Sequence, residues 1–327
     1  MSNKKQKETN INKAVVDLFD EMLEMEELLR GVMNELDLGP TIFDLGLNAV
    51  GGFLAGEYIT QVCMGGLSEV SLGLKNYDEN LVFPTITVVT DFPIESTMAS
   101  QFAGWSINKD NYQAMASGPA RILAKKPKHI FEKIQIHETH DETVIVLETN
   151  QYPPESIMNY IAEKCKIKLD GLCIIITPTT SVAGSTQVSG RSVETAIHKL
   201  FDLGMDVTSI VSACGTAPIA PVSTRKSDLM LGRTNDMLIY GADVYLQVDY
   251  KNEDELTEFI NQATSSSSSS YGSLFYDVVK EVKGDFYKID PALFAPAKLT
   301  VNNLRTGKLL TAGKINIKML KKSSLKT

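Results

Sequence analysis

Apolar positions between residues 12 and 36 recur at the spacing of a helix. Val15, Leu18, Phe19, Met22, Met25, Leu28, Leu29 and Met33 gather on one side of a 3.6-residue turn. Asn10 or Asn12 can cap the start and Gly39-Pro40 marks the end, so one amphipathic helix is predicted from Asn12 to Leu36. Its methionine-rich stripe reads as core packing, with a subunit interface as the alternative. From Thr41 to Asp91 the pattern changes. TIFDLGLN, YITQVCM, EVSLGL and PTITVVTD are short and β-rich, and predict strands broken by Gly51-Gly52, Gly56 and Gly65-Gly66.

Pro119 suits the first position of a helix, so Ser117-Gly118-Pro119-Ala120-Arg121 predicts a helix start. KIQIHE and TVIVLE predict a hairpin turning through Thr139 to Glu142, and YPPESIMNYIAEKC a helix opened by Pro154. LCIIIT, beginning at Leu172, is nearly all apolar, as in a strand buried on both faces. The small polar residues of PTTSVAGST then form a loop, and a helix is predicted from about Gln187 to Leu203, closed by Gly204. DVTSIVSA and MLIYGADVYLQVDY read as strands, NEDELTEFINQA and YGSLFYDVVKEV as helices, and KLTVNNLRTGKLLTAGKIN as a closing hairpin. Ser265 to Ser270 offers nothing to a core and predicts a solvated, flexible loop. The basic tail IKMLKKSSLKT reads as frayed. No internal repeat of 20–50 residues is found.

The 327 residues suffice for two domains, with limits set at 1–150 and 151–327 and the hairpin at about 297–316 a candidate to pack back on the first. A net charge of −8 argues against nucleic acid as the main partner, because phosphate neutralisation needs a basic face. A small anion needs only a local cluster and stays possible. The polar N-terminus shows no secretory signal, and no apolar run reaches the roughly 18 residues of a membrane span. Cys63, Cys165, Cys173 and Cys214 form no Cys-x-x-Cys pair and read as reduced core thiols of a cytoplasmic protein.

Familiar chemical motifs fail on inspection. GSTQVSGRS resembles a phosphate-binding loop, but its glycine spacing is one residue too long and Arg191 stands where lysine belongs. No G-x-G-x-x-G follows a strand, and neither G-x-S-x-G nor H-E-x-x-H occurs. His137 and His140 flank the predicted turn and read as exposed polar residues, so no metal is expected. What remains is side-chain acid–base chemistry or binding alone. At 100° per residue, Val193, Ala196, Ile197, Leu200 and Phe201 share one face of the 187–203 helix. Arg191, Glu194 and His198 form a stripe beside it. A surface Arg–Glu pair worth a few tenths of a kcal/mol is the commoner arrangement, and His198 reads as a histidine at the core boundary. The alternative uses the preceding loop as well. Thr179, Thr180, Ser181, Ser185, Thr186 and Gln187 bring hydroxyls and an amide to the same place, which suits a water nucleophile and a polar heterocycle.

Several longer runs go further. GGFLAGEYITQVCMGGLSEVSL, SQFAGW, AMASGPAR, TSVAGSTQVSGRSVETAIHKL, GRTNDMLIYG and DFYKIDPALFAPA stand in this order over about residues 10–314. They resemble the methenyltetrahydromethanopterin cyclohydrolases. The resemblance implies a mixed α/β fold of two domains with a pocket between them, a homotrimer, and no metal or other cofactor. The implied activity is reversible hydrolysis of the 5,10-methenyl carrier to its 5-formyl form, in one-carbon metabolism such as methanogenesis. Glu194 matches the family's catalytic glutamate, which takes a proton from water and returns it to the departing nitrogen. Arg191 matches the arginine that orients the carboxylate and bonds the reacting oxygen. Ser185 and Gln187 join as substrate contacts. The carrier's phosphate-bearing tail calls for an anion site, for which Gly118, Pro119 and Arg121 are candidates, and Asn235 and Asp236 are candidates for the pterin ring. This chain departs from the family pattern at Gly190, where alanine is usual, at Ala116, where glycine is usual, and in its longer serine run. Two alternatives stay open: a non-catalytic pterin-binding subunit of the same fold, and a cyclohydrolase acting on tetrahydrofolate.

Overall fold

The computed structural model describes residues 10–36, 39–285 and 288–326. Helix α1 (Ile11–Glu24) begins where the Asn10 side chain accepts a hydrogen bond from the Lys13 N–H, and buries Val15, Phe19 and Met22. The predicted single helix stops there. One turn, α2 (Glu26–Leu29), follows, Arg30 adopts a left-handed φ of 54°, and Val32–Glu35 becomes strand β1. β1 pairs antiparallel with β2 (Thr41–Asp44), so hydrogen bonding across the sheet outweighs continuation of the helix.

YITQVC is helical, within α3 (Phe53–Cys63), rather than a strand. Ala55, Ile59, Val62 and Cys63 fall on one buried side, a helical period hidden by β-branched composition. β3 (Glu69–Asp78) and β4 (Leu81–Thr90) form the expected strands, and a π-helix (Ile94–Gln101) leads to β5 (Trp105–Lys109) and β6 (Tyr112–Ser117). α4 (Ala120–Ala124) starts after Pro119. Helix α5 (Lys128–Ile134) takes the first two residues of the first arm of the predicted 133–148 hairpin, and the rest of that arm, to Glu138, forms no strand. Only the second arm, β7 (Thr143–Glu148), forms a strand, and its partners are β6 and β8 (Leu172–Ile176). Between β7 and β8 lies α6 (Glu155–Cys165).

α7 (Val182–Ser189) and α8 (Ser192–Asp202) precede β9 (Ile210–Pro218). MLIYG lies in α9 (Ser227–Gly241), not in a strand, and only β10 (Asp243–Val248) extends. α10 (Glu253–Gln262), α11 (Phe275–Glu281), β11 (Lys298–Asn303) and β12 (Leu309–Gly313) follow the predicted order. The serine run is not a loose loop: Ser265 and Ser268 are buried, the Ser265 hydroxyl donates to the Ile239 carbonyl, and Ser268 and Ser269 donate to Asp290. The tail is not frayed either. It forms α12 (Ile317–Leu325), held by buried Met319 and Leu320 against α9.

Two six-stranded mixed sheets result, ordered β1-β2-β8-β7-β6-β5 and β12-β11-β10-β9-β4-β3. The expected mixed α/β fold is present. The boundary at residue 150 is not supported, because each sheet takes strands from both sides of it. The parallel pairs β2–β8 and β7–β8 tie residues 41–44 and 143–147 to 172–176. The closing hairpin joins β10 in parallel, at the opposite edge of its sheet from β3 and β4, and so does not return to the N-terminal half. The chain passes between the sheets three times: through α3, through the π-helix, and through α7 and α8. These crossover helices pack on one another and share the main core with both sheets. Among the described residues no helix is long and apolar enough to cross a membrane.

Candidate functional site

The third crossover carries the charged stripe. The predicted helix from Gln187 to Leu203 is in fact two. The Ser181 hydroxyl caps α7 by accepting the Gly184 N–H, so the helix begins at Val182 rather than at about Gln187 and already contains Ser185. α7 ends at Gly190, and Arg191 is the N-cap of α8. Close packing fixes this junction. A Cβ on Gly190 would lie 2.5 Å from Thr60 Cγ2 of α3, and one on Gly56 of α3 would lie 2.4 Å from Thr186 Cβ of α7. Each helix thus presents a glycine to the other's threonine, and the backbones approach as only glycine allows. Below, α8 rests on β9, where a Cβ on Gly215 would meet Ser192 Oγ at 2.6 Å.

A cleft of about 690 Å³ opens along α8. Its walls are Phe102, Ser106, Met115 and Glu148 on the side of the first sheet, and Leu231, Asn235 and Leu238 of α9 with Gly284, Asp285, Pro291, Phe294 and Ala295 on the other. Arg191, Glu194, His198 and Asp202 all face it from α8 and its end. The size and the mixed apolar and charged lining suit a small-molecule site.

Arg191 is only 7% exposed and is held by three acceptors: the Gln101 carbonyl at 2.5 Å, Ser117 Oγ at 3.1 Å and Gln187 Oε1 at 3.0 Å. Gln101 reciprocates by donating its amide to the Gly190 carbonyl, and Gln187 donates to Glu148 at 3.2 Å. Ser117 in turn contacts the buried Cys63 thiol at 3.4 Å. The guanidinium is therefore a fixed cation whose direction is set by the π-helix end, β6 and α7. Glu194, 6% exposed, differs. Among the described residues nothing donates a hydrogen bond to its carboxylate, and no cation comes within ion-pair distance. Burial pushes its pKa up, against the pull of His198, Arg191 and Arg121. Glu148 is likewise pushed up by burial, opposed by Arg191 and by the Gln187 hydrogen bond.

The expected i, i+3 contact between Arg191 and Glu194 is thus replaced by two separate functions, a clamped guanidinium and an unpaired carboxylate on one cleft wall. Asn235 reaches the cleft while its amide donates to the Leu231 carbonyl. Gln187 lies behind the wall, as the link between Arg191 and Glu148. The other predicted contacts do not line the cleft. Ser185 is buried and donates to the Ala220 carbonyl. Asp236 is buried and accepts from the Phe275 N–H and the Ser323 hydroxyl. Gly118 and Pro119 are a buried turn, with Gly118 at φ 94°. Arg121 does not face the cleft: its guanidinium is fully buried and donates through Nε to the Lys126 carbonyl and through Nη1 to those of Met98, Ala99 and Ser100. It holds the end of the π-helix that supplies Gln101 to Arg191, and burial lowers its pKa to about 9.

Three cleft residues escaped the sequence reading of side-chain chemistry. Glu148 closes the apolar strand TVIVLE, and a charge at the carboxyl end of a buried strand is a usable signal for a ligand. Phe102 lies in SQFAGW and stacks on His198, with ring centroids 4.3 Å apart and planes at 24°. His198 is therefore a cleft residue rather than a boundary one. Among the described residues no group of three or more His, Cys, Asp or Glu side chains is placed to hold a metal ion.

The cyclohydrolase (MCH) family model matches residues 10–324. Similar proteins include the methenyltetrahydromethanopterin cyclohydrolase of Methanocella arvoryzae, 44% identical over 94% of this chain and 95% of the relative. That of Methanocorpusculum labreanum is 42% identical over 96% of this chain and 98% of its own length. That of Methanococcus maripaludis is 39% identical over the same shares.

Proposed function

The chain belongs to the methenyltetrahydromethanopterin cyclohydrolase family, and from that premise we propose how its cleft performs the reaction. The enzyme hydrolyses the methenyl bridge of a tetrahydromethanopterin carrier to the 5-formyl form, reversibly. In this proposal Glu194 is the general base and Arg191 the fixed cation beside it.

The methenyl bridge is an amidinium, so its carbon is already electrophilic and needs no resident cofactor to activate it. Hydrolysis needs a placed water, a base for its proton, and a proton for the departing nitrogen. Glu194 accepts the proton as water attacks, and passes a proton to N10 as the adduct collapses. A carboxyl whose pKa is raised by burial holds a proton better than an exposed glutamate does, which suits it to take one from water and carry it to N10. Arg191 orients the water and stabilises the oxygen on which charge develops. Its three protein acceptors keep it aimed without pairing it to Glu194, so the base is not neutralised by a salt bridge. Glu148 and Asn235, on opposite walls, hold the polar edge of the pterin, and the Phe102–His198 stack flanks the rings. The observation that most supports this assignment is the unpaired, buried Glu194 carboxylate on the cleft wall.

The test follows the loss of the methenyl absorbance. Wild type accelerates it over buffer, and Glu194→Gln keeps substrate affinity while turnover falls by roughly 10²-fold or more, the usual scale for a positioned base. A Glu194→Gln enzyme with near-normal turnover would overturn the assignment.

The homotrimer implied by the family is also proposed. The outer face of the second sheet supports it: Val89, Cys214 and Tyr245 form one cross-strand row, with Val89 43% and Tyr245 38% exposed. Light scattering at the mass of one chain would count against it. A cytoplasmic location is proposed on the same footing.

A further inference from the structure

Hydrolysis of a methenyl cation is not proton-neutral. The water oxygen bonds to the bridging carbon and the carbon–N10 bond breaks. Of the two water protons one ends on N10, and the other is released, since a cation and water become a neutral formyl amine and a proton. Each forward turnover therefore leaves one surplus proton inside the cleft, and each reverse turnover needs one. If Glu194 is the base, as proposed above, that proton rests on a carboxyl only 6% exposed. It has to reach solvent before the next cycle.

We propose that His198, backed by Asp202, is the relay that carries this proton between Glu194 and solvent. The three residues are i, i+4 and i+8 along α8, one above another on the same side and about 6 Å apart in rise at each step. All three line the cleft. Exposure grows along the row, from Glu194 through the His198 side chain at 21% to that of Asp202 at 44%. His198 Nδ1 lies 3.7 Å from Asp202 Oδ2, too far for a hydrogen bond but near enough to favour a proton on that nitrogen, leaving Nε2 as acceptor. The stack on Phe102 fixes the ring plane, so the imidazole is held in place while it exchanges protons. The other charged groups on the cleft wall are Glu148, Arg191 and Asp285, and Arg121 lies behind Phe102, 5.3 Å from its ring. His198 acts through Glu194 and is a relay, not the base itself.

Buffer dependence tests this. In dilute, bulky buffer, His198→Ala is expected to lower kcat at least tenfold with KM little changed, and added imidazole to restore most of the loss, while wild type responds to neither. His198→Gln, which fills the space without transferring protons, gives the same pattern if alanine disturbs folding. Wild-type kcat in dilute buffer, or a loss that no small buffer restores, overturns the relay. Glu194→Gln separates the two assignments. Its turnover stays low at every buffer concentration if the base is correctly named, and a Glu194→Gln enzyme that retains turnover removes the base whatever the His198 variants do.

Discussion

Gly190→Ala measures how tightly the third crossover is built. Alanine is usual here in the family this chain resembles, and helix propensity alone would favour that alanine. Two effects oppose each other. A methyl restricts the backbone and gains up to about 1 kcal/mol in a helical setting, and the glycine's φ of −65° imposes no strain on it. Forcing the methyl into an occupied site costs about 1–3 kcal/mol. The geometry decides between them. The new Cβ would sit 2.5 Å from Thr60 Cγ2, 2.7 Å from Oγ1 and 3.2 Å from Cβ, so rotating Thr60 exchanges one clash for another. Thr60 is fully buried, with its hydroxyl on the Gly56 carbonyl at 2.7 Å, and has little room to withdraw. A net loss of about 1–2 kcal/mol is expected, overpacking outweighing propensity. Urea unfolding at one fixed protein concentration reads it, since an assembly's stability depends on concentration. Because Arg191 follows directly, kcat should also fall. Thr60→Ala removes the clashing atoms, so Gly190→Ala should cost at least about 0.5 kcal/mol less in that background. A Gly190→Ala protein as stable as wild type, or an equal cost in both backgrounds, refutes the packing account.

Asp236 is pushed up to about 7 by burial, against hydrogen bonds from Ser323 and the Phe275 N–H. A carboxyl raised in the folded state binds its proton more tightly than the unfolded chain does, so its contribution is lost as pH rises. Asp236→Asn should therefore flatten a stability decline of roughly a few kcal/mol between about pH 4 and pH 7, read by urea unfolding across that range. Asp290 feels burial pushing it up, but hydrogen bonds from Ala292, Ser268 and Ser269 prevail and hold it at about 2, so its contribution is present above about pH 4 and fades toward pH 2. Asp290→Asn should open the serine run to limited proteolysis at neutral pH, and unchanged cleavage there would show that those bonds do not hold it. Glu148→Gln should raise KM several-fold while lowering kcat less, as steady-state rates will show, because it changes a wall of the cleft rather than the base.

What the sequence disclosed depended on how local the cause was. α6, α10 and α11 carry one apolar stripe each, and β8 is a short apolar run between turn signals, so nearby residues suffice. α9 is buried almost all round and therefore shows no period. α3 hides its period behind β-branched residues. Arg191 and Glu194 were legible as a spaced pair in a longer motif. Asp236 looked like a ligand because its partners, Phe275 and Ser323, lie 39 and 87 residues away. Arg121 looked like an anion receptor because the carbonyls that occupy it belong to the π-helix, whose place against α4 is a tertiary fact. Glu148 was passed over because a lone glutamate after a strand has no partner in sequence.

The three passages between the sheets bear on how this enzyme can be divided. A chain cut between residues 150 and 151 would give two pieces, each owning part of both sheets, and neither would own a finished one. The first piece would keep Gln101, Phe102 and Glu148, the second Arg191 and Glu194. Neither is a module that could be lent to another protein with half the activity attached. Mixed together, the pieces should regain turnover only by threading into each other's sheets, as a complemented whole. The heritable unit of this chemistry is the entire interlaced chain.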